Sequence, residues 1–392
     1  MRKDWEYKKL GEVATFNRGL TYSGKDEVDF SENIVLRSNN IDIDSNTLNL
    51  NELKYISDEI IIPKDKRLKR NSIFICMSNG SKQHLGKVAF IDKDYSYAFG
   101  GFMGLISPEE KSLIPKFLYY FLCSTKFKLF LTIIGNGANI NNIKFSDISK
   151  VNLPLPQKST QLSIVAELDK INELIQLKKQ QLKDYDQLAQ SIFYEMFGDP
   201  VENEKGWEVK KLGEVCETSS GGTPSKTHTE YYENGTIPWL RSGEVSQGYI
   251  YDAEIYISEL GLNKSSAKIF PKDTVLIAMY GATVGEVGIL CNPMCTNQAI
   301  CGILPNDLYN SEFLRYVLLS HKDKYLSLAS GGAQPNISQQ IIKSTLIPFI
   351  DKPLQQQFAA RIEAIERQKQ QVSETIKDLE TLLASRMQYW FD

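Results

Sequence analysis

The sequence predicts an α+β protein built from two tandem copies of one unit, each a globular domain followed by a long helix. Three observations in its 392 residues carry that expectation. "WEYKKLGEV" at 5–13 returns as "WEVKKLGEV" at 207–215, with eight of nine letters identical. Short β-branched and apolar runs recur at matching places in the two halves. Each half then closes on a stretch of helix formers that carries an apolar heptad repeat.

Followed along the chain, the repeat is continuous. "VLRSNNI" at 35–41 answers "WLRSGEV" at 239–245, and "SIFICM" at 72–77 answers "TVLIAM" at 274–279. "GKVAFI" at 86–91 matches "GEVGIL" at 285–290, and "FLYYFLCS" at 117–124 matches "FLRYVLLS" at 313–320. The offset drifts from 202 to 194, as loops that gained or lost residues require. The globular parts span 1–157 and 201–351, and the helical segments span 158–200 and 352–392. "SIFICM" and "TVLIAM" read as buried strands. "PKFLYYFLCSTKFKLFL" has helical spacing, with Pro115 placed to begin the helix.

From Ser159 to Met196 there is neither glycine nor proline. The expected seam is Leu168, Ile171, Ile175, Leu182, Tyr185, Ala189, Ile192 and Met196, with Lys178 as its polar intruder. In the second copy it is Ile362, Ile365, Val372, Ile376, Leu379, Leu383 and Trp390, interrupted by Lys369 and Arg386. Gly198-Asp199-Pro200 stops the first helix. Two such helices pack most simply as an antiparallel coiled coil with an internal pseudo-two-fold. A helix of about 38 residues spans about 57 Å, roughly 17 DNA steps of about 3.4 Å.

Composition is that of a soluble globular protein, with 42% hydrophobic and 24% charged residues. No apolar run has membrane-spanning length, and the N-terminal "MRKDWEYKK" lacks the apolar core of a secretory signal. The six cysteines show no zinc spacing, so reduced thiols are expected. Enzyme motifs are thin. "SSGGTPSK" at 219–226 lacks phosphate-loop spacing. Asp42, Glu52 and Lys54 imitate a D…ExK nuclease set, but the second copy has no Glu-x-Lys at the matching place.

The chain resembles the specificity (S) subunit of type I DNA restriction-modification systems over essentially its whole length. The resemblance is carried by W-x-x-K-x-L-G-E-V at each start, "IPWLRSGEV" at 237–245 and "TNQAI" at 296–300. "GGAQPNISQQIIKSTLIPF" at 331–349 and the glutamine-rich entry to each helix complete it. The first copy departs from the pattern, with "FGGFM" at 99–103 in place of "TNQAI". The resemblance implies that each globular part is a target recognition domain reading half of a split, asymmetric site in double-stranded DNA. It implies helices that set the spacing and dock two methyltransferase (M) subunits, with restriction (R) subunits joining them. S-adenosylmethionine, ATP and Mg would sit on those partners, none on this chain. A cytoplasmic, prokaryotic, non-catalytic subunit is expected. The alternatives are a tandem-repeat protein scaffold that does not bind DNA, or a relative of fused methylase-nucleases. The missing adenine-methylase motifs, a glycine-rich donor loop and a [DN]PP[YF]-like tetrapeptide, argue against the latter.

Net charge is −3, unusual for a partner of a polyanion. Residues 1–157 carry 22 basic and 18 acidic side chains, whereas 201–351 carry 12 and 17. The partners are therefore expected to supply much of the phosphate grip. Candidate backbone contacts are Lys64, Lys66, Arg67, Lys69 and Arg70 in "KDKRLKR", and the shared pair Arg37 and Arg241. Base readers are expected where aligned polar positions differ, because the shared ones cannot distinguish two half-sites. Those positions are Asn39, Asn40, Asn79, Lys82 and His84 in the first domain, and Glu244, Tyr280 and Thr283 in the second.

Overall fold

The computed structural model describes residues 5–43, 45–80, 84–135, 142–330 and 335–392. The chain forms two compact units, Met1–Lys179 with Glu374–Asp392, and Gln180–Ser373. The sequence-based boundaries at 157 and 351 leave the helices outside the domains; the structure divides each helix between the units instead. The first long helix is Lys158–Phe197 and the second is Lys352–Phe391. Gly198 ends the former in the left-handed region at φ 74°, with its N–H bonded to Tyr194 O at 2.8 Å.

Both globular parts have one plan. The first domain has a four-stranded sheet ordered Ala14–Arg18, Met103–Pro108, Ser72–Cys76, Val88–Ile91. Its second sheet runs Glu27–Val28, Lys54–Ile56, Asn33–Leu36, Ala98–Phe99, the last pair parallel. In the second domain Thr218–Ser220, Ile300–Ile303, Val275–Ala278 and Val287–Leu290 follow the same order, with Tyr249–Ile250 added. Ser72–Cys76 and Val275–Ala278 are buried throughout, as expected of their unbroken apolar runs. The segment beginning at Pro115 is two helices, Pro115–Cys123 and Thr125–Gly135, because Ser124 turns to an extended conformation. Burial pushes the thiols of Cys123 and Cys301 up to about 12, so both stay protonated.

The repeated nonapeptide has a structural task. Its central residues form an edge strand in each domain, Glu6–Lys9 on Asn152–Leu155 and Val209–Lys211 on Leu346–Pro348. Leu10 and Leu212 then enter the cores with no exposed surface. Trp5 stacks on Trp390 at 6.3 Å, and Trp207 Nε1 donates to Phe197 O at 2.8 Å. In both units the repeat's tryptophan therefore meets the C-terminal end of a long helix.

Helix pairing is antiparallel within each unit. In the first, Glu167 accepts from Arg386 and Trp390, and Lys179 bridges Glu380 at 2.9 Å. In the second, Asp186 bridges Lys369 at 2.8 Å, while Phe193 and Phe197 pack on Phe358. The intruders Lys369 and Arg386 are thus cross-helix ion-pair donors, a means of fixing register. Leu168, Ile171, Ile175, Ala189, Ile362, Ile365, Val372 and Ile376 are buried, while Leu182, Tyr185, Leu379 and Leu383 are half-buried. The heptad expectation fails near the C-terminal end of each helix, where Phe391 is buried in the second and the expected Trp390 is half-buried. In the first, Ile192 and Met196 are half-buried and Phe193 and Phe197 are buried instead. Spacings of four from Ala189 turn the seam by one residue toward the domain, as a stutter does.

The hydrogen bond from Arg386 holds the Glu167 carboxyl below its ordinary value of 4.5. A lowered folded-state value contributes stability that is fully present above 4.5 and is lost as pH falls through the lowered value. Glu167→Gln should therefore lower the urea midpoint at pH 7, and the difference from wild type should vanish under acid. A difference independent of pH would assign the loss to packing.

Candidate nucleic-acid interface

A cleft of about 940 Å³ opens in the first domain where its two sheets meet. Arg18, Tyr22, Arg37, Asn39, Asn79 and Phe102 stand around it. The backbone there is drawn tight. Leu20 N–H donates to Phe99 O at 2.7 Å and Gly100 N–H donates to Leu36 O at 2.9 Å. A Cβ on Gly19 would lie 2.0 Å from Gly100 O, so only glycine permits this approach. The rim offers cations, amides and aromatic surface, the set that reads base edges in a groove.

Three expected residues meet at this cleft. Arg37 and Asn39 are exposed on its wall, and Asn79 donates to Ser38 Oγ at 2.9 Å. Asn40 is removed from the base readers. It is 1% exposed, accepts from Arg37 N–H at 2.8 Å and donates to Asn49 O and Glu52 O. Glu244 is removed for the same reason, being 6% exposed and accepting from Arg241 N–H and Glu254 N–H, both at 2.9 Å. The two side chains differ in chemistry but cap the same short helical turn. Their divergence reflects two solutions to one backbone requirement. His84 is half-buried and lies off the cleft. Lys82 falls outside the described residues. Tyr280 is exposed, and Thr283 is half-buried with its hydroxyl donating to Tyr280 O at 3.2 Å.

The basic run also divides. Lys64, Lys69 and Arg70 are exposed. Lys66 Nζ donates to Arg18 O at 2.8 Å, and Arg67 donates to Ser96 O. Both are half-buried and hold loops together, which removes them as primary phosphate contacts. Arg241 pairs with Glu254 and, at 3.6 Å, with Glu244, so its charge is offset within the domain. The nuclease-like set does not converge: Lys54 pairs with Glu27, Glu52 accepts from Asn39, and Asp42 accepts from Ser45.

Two functional-looking side chains escaped sequence reading. Arg18 lies at the end of its strand with Nε donating to Gly101 O at 3.2 Å. Phe102 is 70% exposed beside it. The available signal was the replacement of "TNQAI" by "FGGFM". The second domain has its own cavity of about 1140 Å³, between its sheet and residues 356–373 of the second long helix. Asp273, Glu312, Glu363 and Glu366 there face Lys272, Arg367 and Lys369, a mixture that selects no single sign of charge.

The family model for the type I restriction modification DNA specificity domain matches residues 2–184 and again 204–381. Among curated relatives, the MjaIX specificity subunit of Methanocaldococcus jannaschii is 25% identical over 385 residues, covering 93% of this chain and 87% of the relative. The EcoKI specificity subunit of Escherichia coli K12 is 23% identical, covering 92% and 82%. A chain from a solved structure on complex assembly and conformational transition of the type I R-M system aligns with a TM-score of 0.61 at 19% identity, covering 100% of this chain and 98% of that one. The crystal structure of the S subunit from M. genitalium aligns at 0.53 and 15% identity, covering 98% and 95%.

Proposed function

This chain belongs to the type I restriction-modification DNA specificity subunits, and from that premise we propose that it selects a bipartite, asymmetric DNA site, one half read by each globular domain. The observation that carries this reading is one backbone plan used twice with different side chains at the same rim positions. A site read by two identical surfaces would be symmetric, whereas unlike rims read unlike half-sites. The cleft of the first domain, with Arg37, Asn39 and Asn79 on its wall, is the reading surface for one half. Tyr280 and Thr283 remain the candidates for the other. Lys64, Lys69 and Arg70 contact phosphates, which position the duplex without reading it.

Two M subunits dock along the helices and methylate adenine with S-adenosylmethionine, and R subunits bring ATP and Mg. The chain itself supplies recognition and no catalytic group, and it works in the prokaryotic cytoplasm. Its second domain carries 12 basic and 17 acidic residues over 201–351, so the partners provide much of the grip on DNA.

Exchanging residues 1–157 for the corresponding domain of another specificity subunit tests the modular claim. Mapping of methylated adenines in cells carrying the whole system should show one half of the site replaced and the other retained. Alteration of both halves would overturn the one-domain, one-half assignment.

A further inference from the structure

The backbone hydrogen bonds around the first domain's cleft recur position by position in the second domain. Gly19 N–H to Met103 O corresponds to Gly221 N–H to Ile300 O, and Leu20 N–H to Phe99 O corresponds to Gly222 N–H to Thr296 O. Gly100 N–H to Leu36 O corresponds to Asn297 N–H to Leu240 O, both at 2.9 Å. Met77 N–H to Phe102 O, at 2.9 Å, corresponds to Met279 N–H to Ala299 O at 2.8 Å. In the ladders, Arg18 lies opposite Gly104 and Ser220 opposite Cys301. The structural equivalents of Arg18 and Phe102 are therefore Ser220 and Ala299. Where the first domain raises a guanidinium and a phenyl ring, the second has a hydroxyl and a methyl group, the latter 7% exposed.

The pair is rigidly presented. Phe102 O accepts from both Met77 N–H and Ser78 N–H, at 2.9 and 3.1 Å, which fixes the backbone beneath the ring. Arg18 is held at both ends, its carbonyl by Lys66 Nζ and its Nε by Gly101 O. That anchoring leaves the two terminal guanidinium nitrogens for an acceptor outside the chain. A bulky apolar ring at 70% exposure gains little from folding, and here it borders a cleft with cationic and amide neighbours. In a major groove, an anchored arginine fork matches guanine O6 and N7, and a phenylalanine ring matches the thymine methyl. Arg18 is tied to Gly101 and Phe102 is the next residue, so the two side chains stand together at one cleft.

Resting on the reading that this domain recognises DNA, we infer that Arg18 and Phe102 form a two-residue reader for a guanine beside a thymine in one half-site. Phe102 senses the 5-methyl group and Arg18 the guanine acceptors. Because Ser220 and Ala299 replace them, this preference belongs to one half-site only.

The test uses the chain assembled with its methyltransferase partners and duplexes bearing the motif that genome methylation defines. Each thymine of the motif is replaced by uracil, and each guanine by 7-deazaguanine. The wild type should lose roughly tenfold or more in affinity at one thymine and at one adjacent guanine. Phe102→Ala should abolish the thymine–uracil difference, Phe102→Leu should retain part of it, and Arg18→Ala should abolish the 7-deazaguanine effect. All three variants should keep the specificity of the other half-site, and the sensitivity each leaves in its own half-site, to guanine for the Phe102 variants and to thymine for Arg18→Ala, verifies the fold of the first domain. Full thymine–uracil discrimination in Phe102→Ala, or no sensitive thymine–guanine pair in the wild type, would overturn the inference while leaving two-domain recognition intact. Failure of the wild-type assembly to prefer any duplex would instead remove the recognition reading itself.

Discussion

Gln161→Leu and Gln355→Leu should each destabilise the unit that holds the residue by about 3–5 kcal/mol, although leucine keeps the volume. Both glutamines are wholly buried in the first turns of the long helices. Gln161 accepts from Ile114 N–H at 2.8 Å and donates to Ser112 O and Pro156 O at 3.0 and 2.9 Å. Gln355 repeats this with Asn310 N–H, Leu308 O and Ile350 O. Each side chain satisfies three backbone groups, and leucine offers a partner to none of them. Glutamate is no remedy, because a carboxylate accepts from the N–H but offers nothing to the two carbonyls. Urea unfolding monitored by hydrogen exchange in each unit measures the effect. A loss under about 1 kcal/mol would mean that water replaces the side chain.

Phe391→Ala should cost a comparable amount, about 3–5 kcal/mol, and the damage should appear far away in sequence. Phe391 is 2% exposed and packs on Phe117 and Phe121, with ring centroids 5.2 and 6.0 Å away. Its counterpart Phe197 packs on Phe313 at 4.8 Å. Amide exchange in Pro115–Cys123 should accelerate in the variant, while Ser311–Ser320 should keep its protection. Uniform acceleration in both helices would show that the two units unfold as one.

The duplication, the long helices and the buried strands were legible because each is written in a local period or in a repeated string. The slip of the seam to Phe193 and Phe197 was not, since a sequence period does not show where a domain pulls the helix face toward itself. Polar positions that differ between the copies include Asn40 and Glu244, which the fold buries as caps. A buried cap tolerates either side chain so long as its oxygen accepts from the same N–H. Phe102 was not legible either, because an aromatic letter in a sequence reads as core. Only the pinned backbone on either side of Gly101 turns that ring outward. Arg18 and Phe102 are 84 positions apart, and their adjacency exists only once two strands are paired.

The division of each helix between the units also orders events during synthesis. Residues Gln180–Ser373 are all translated before Glu374–Asp392. The first unit, although translated first, lacks Phe391 and Trp390 until the last turn of the second long helix emerges. The nascent N-terminal domain therefore keeps its Phe117–Phe121 surface uncovered until the whole of the later domain has been translated, against the usual N-terminal-first order. A chain ending short of residue 391 keeps all of Gln180–Ser373 but leaves Phe117 and Phe121 without the Phe391 ring.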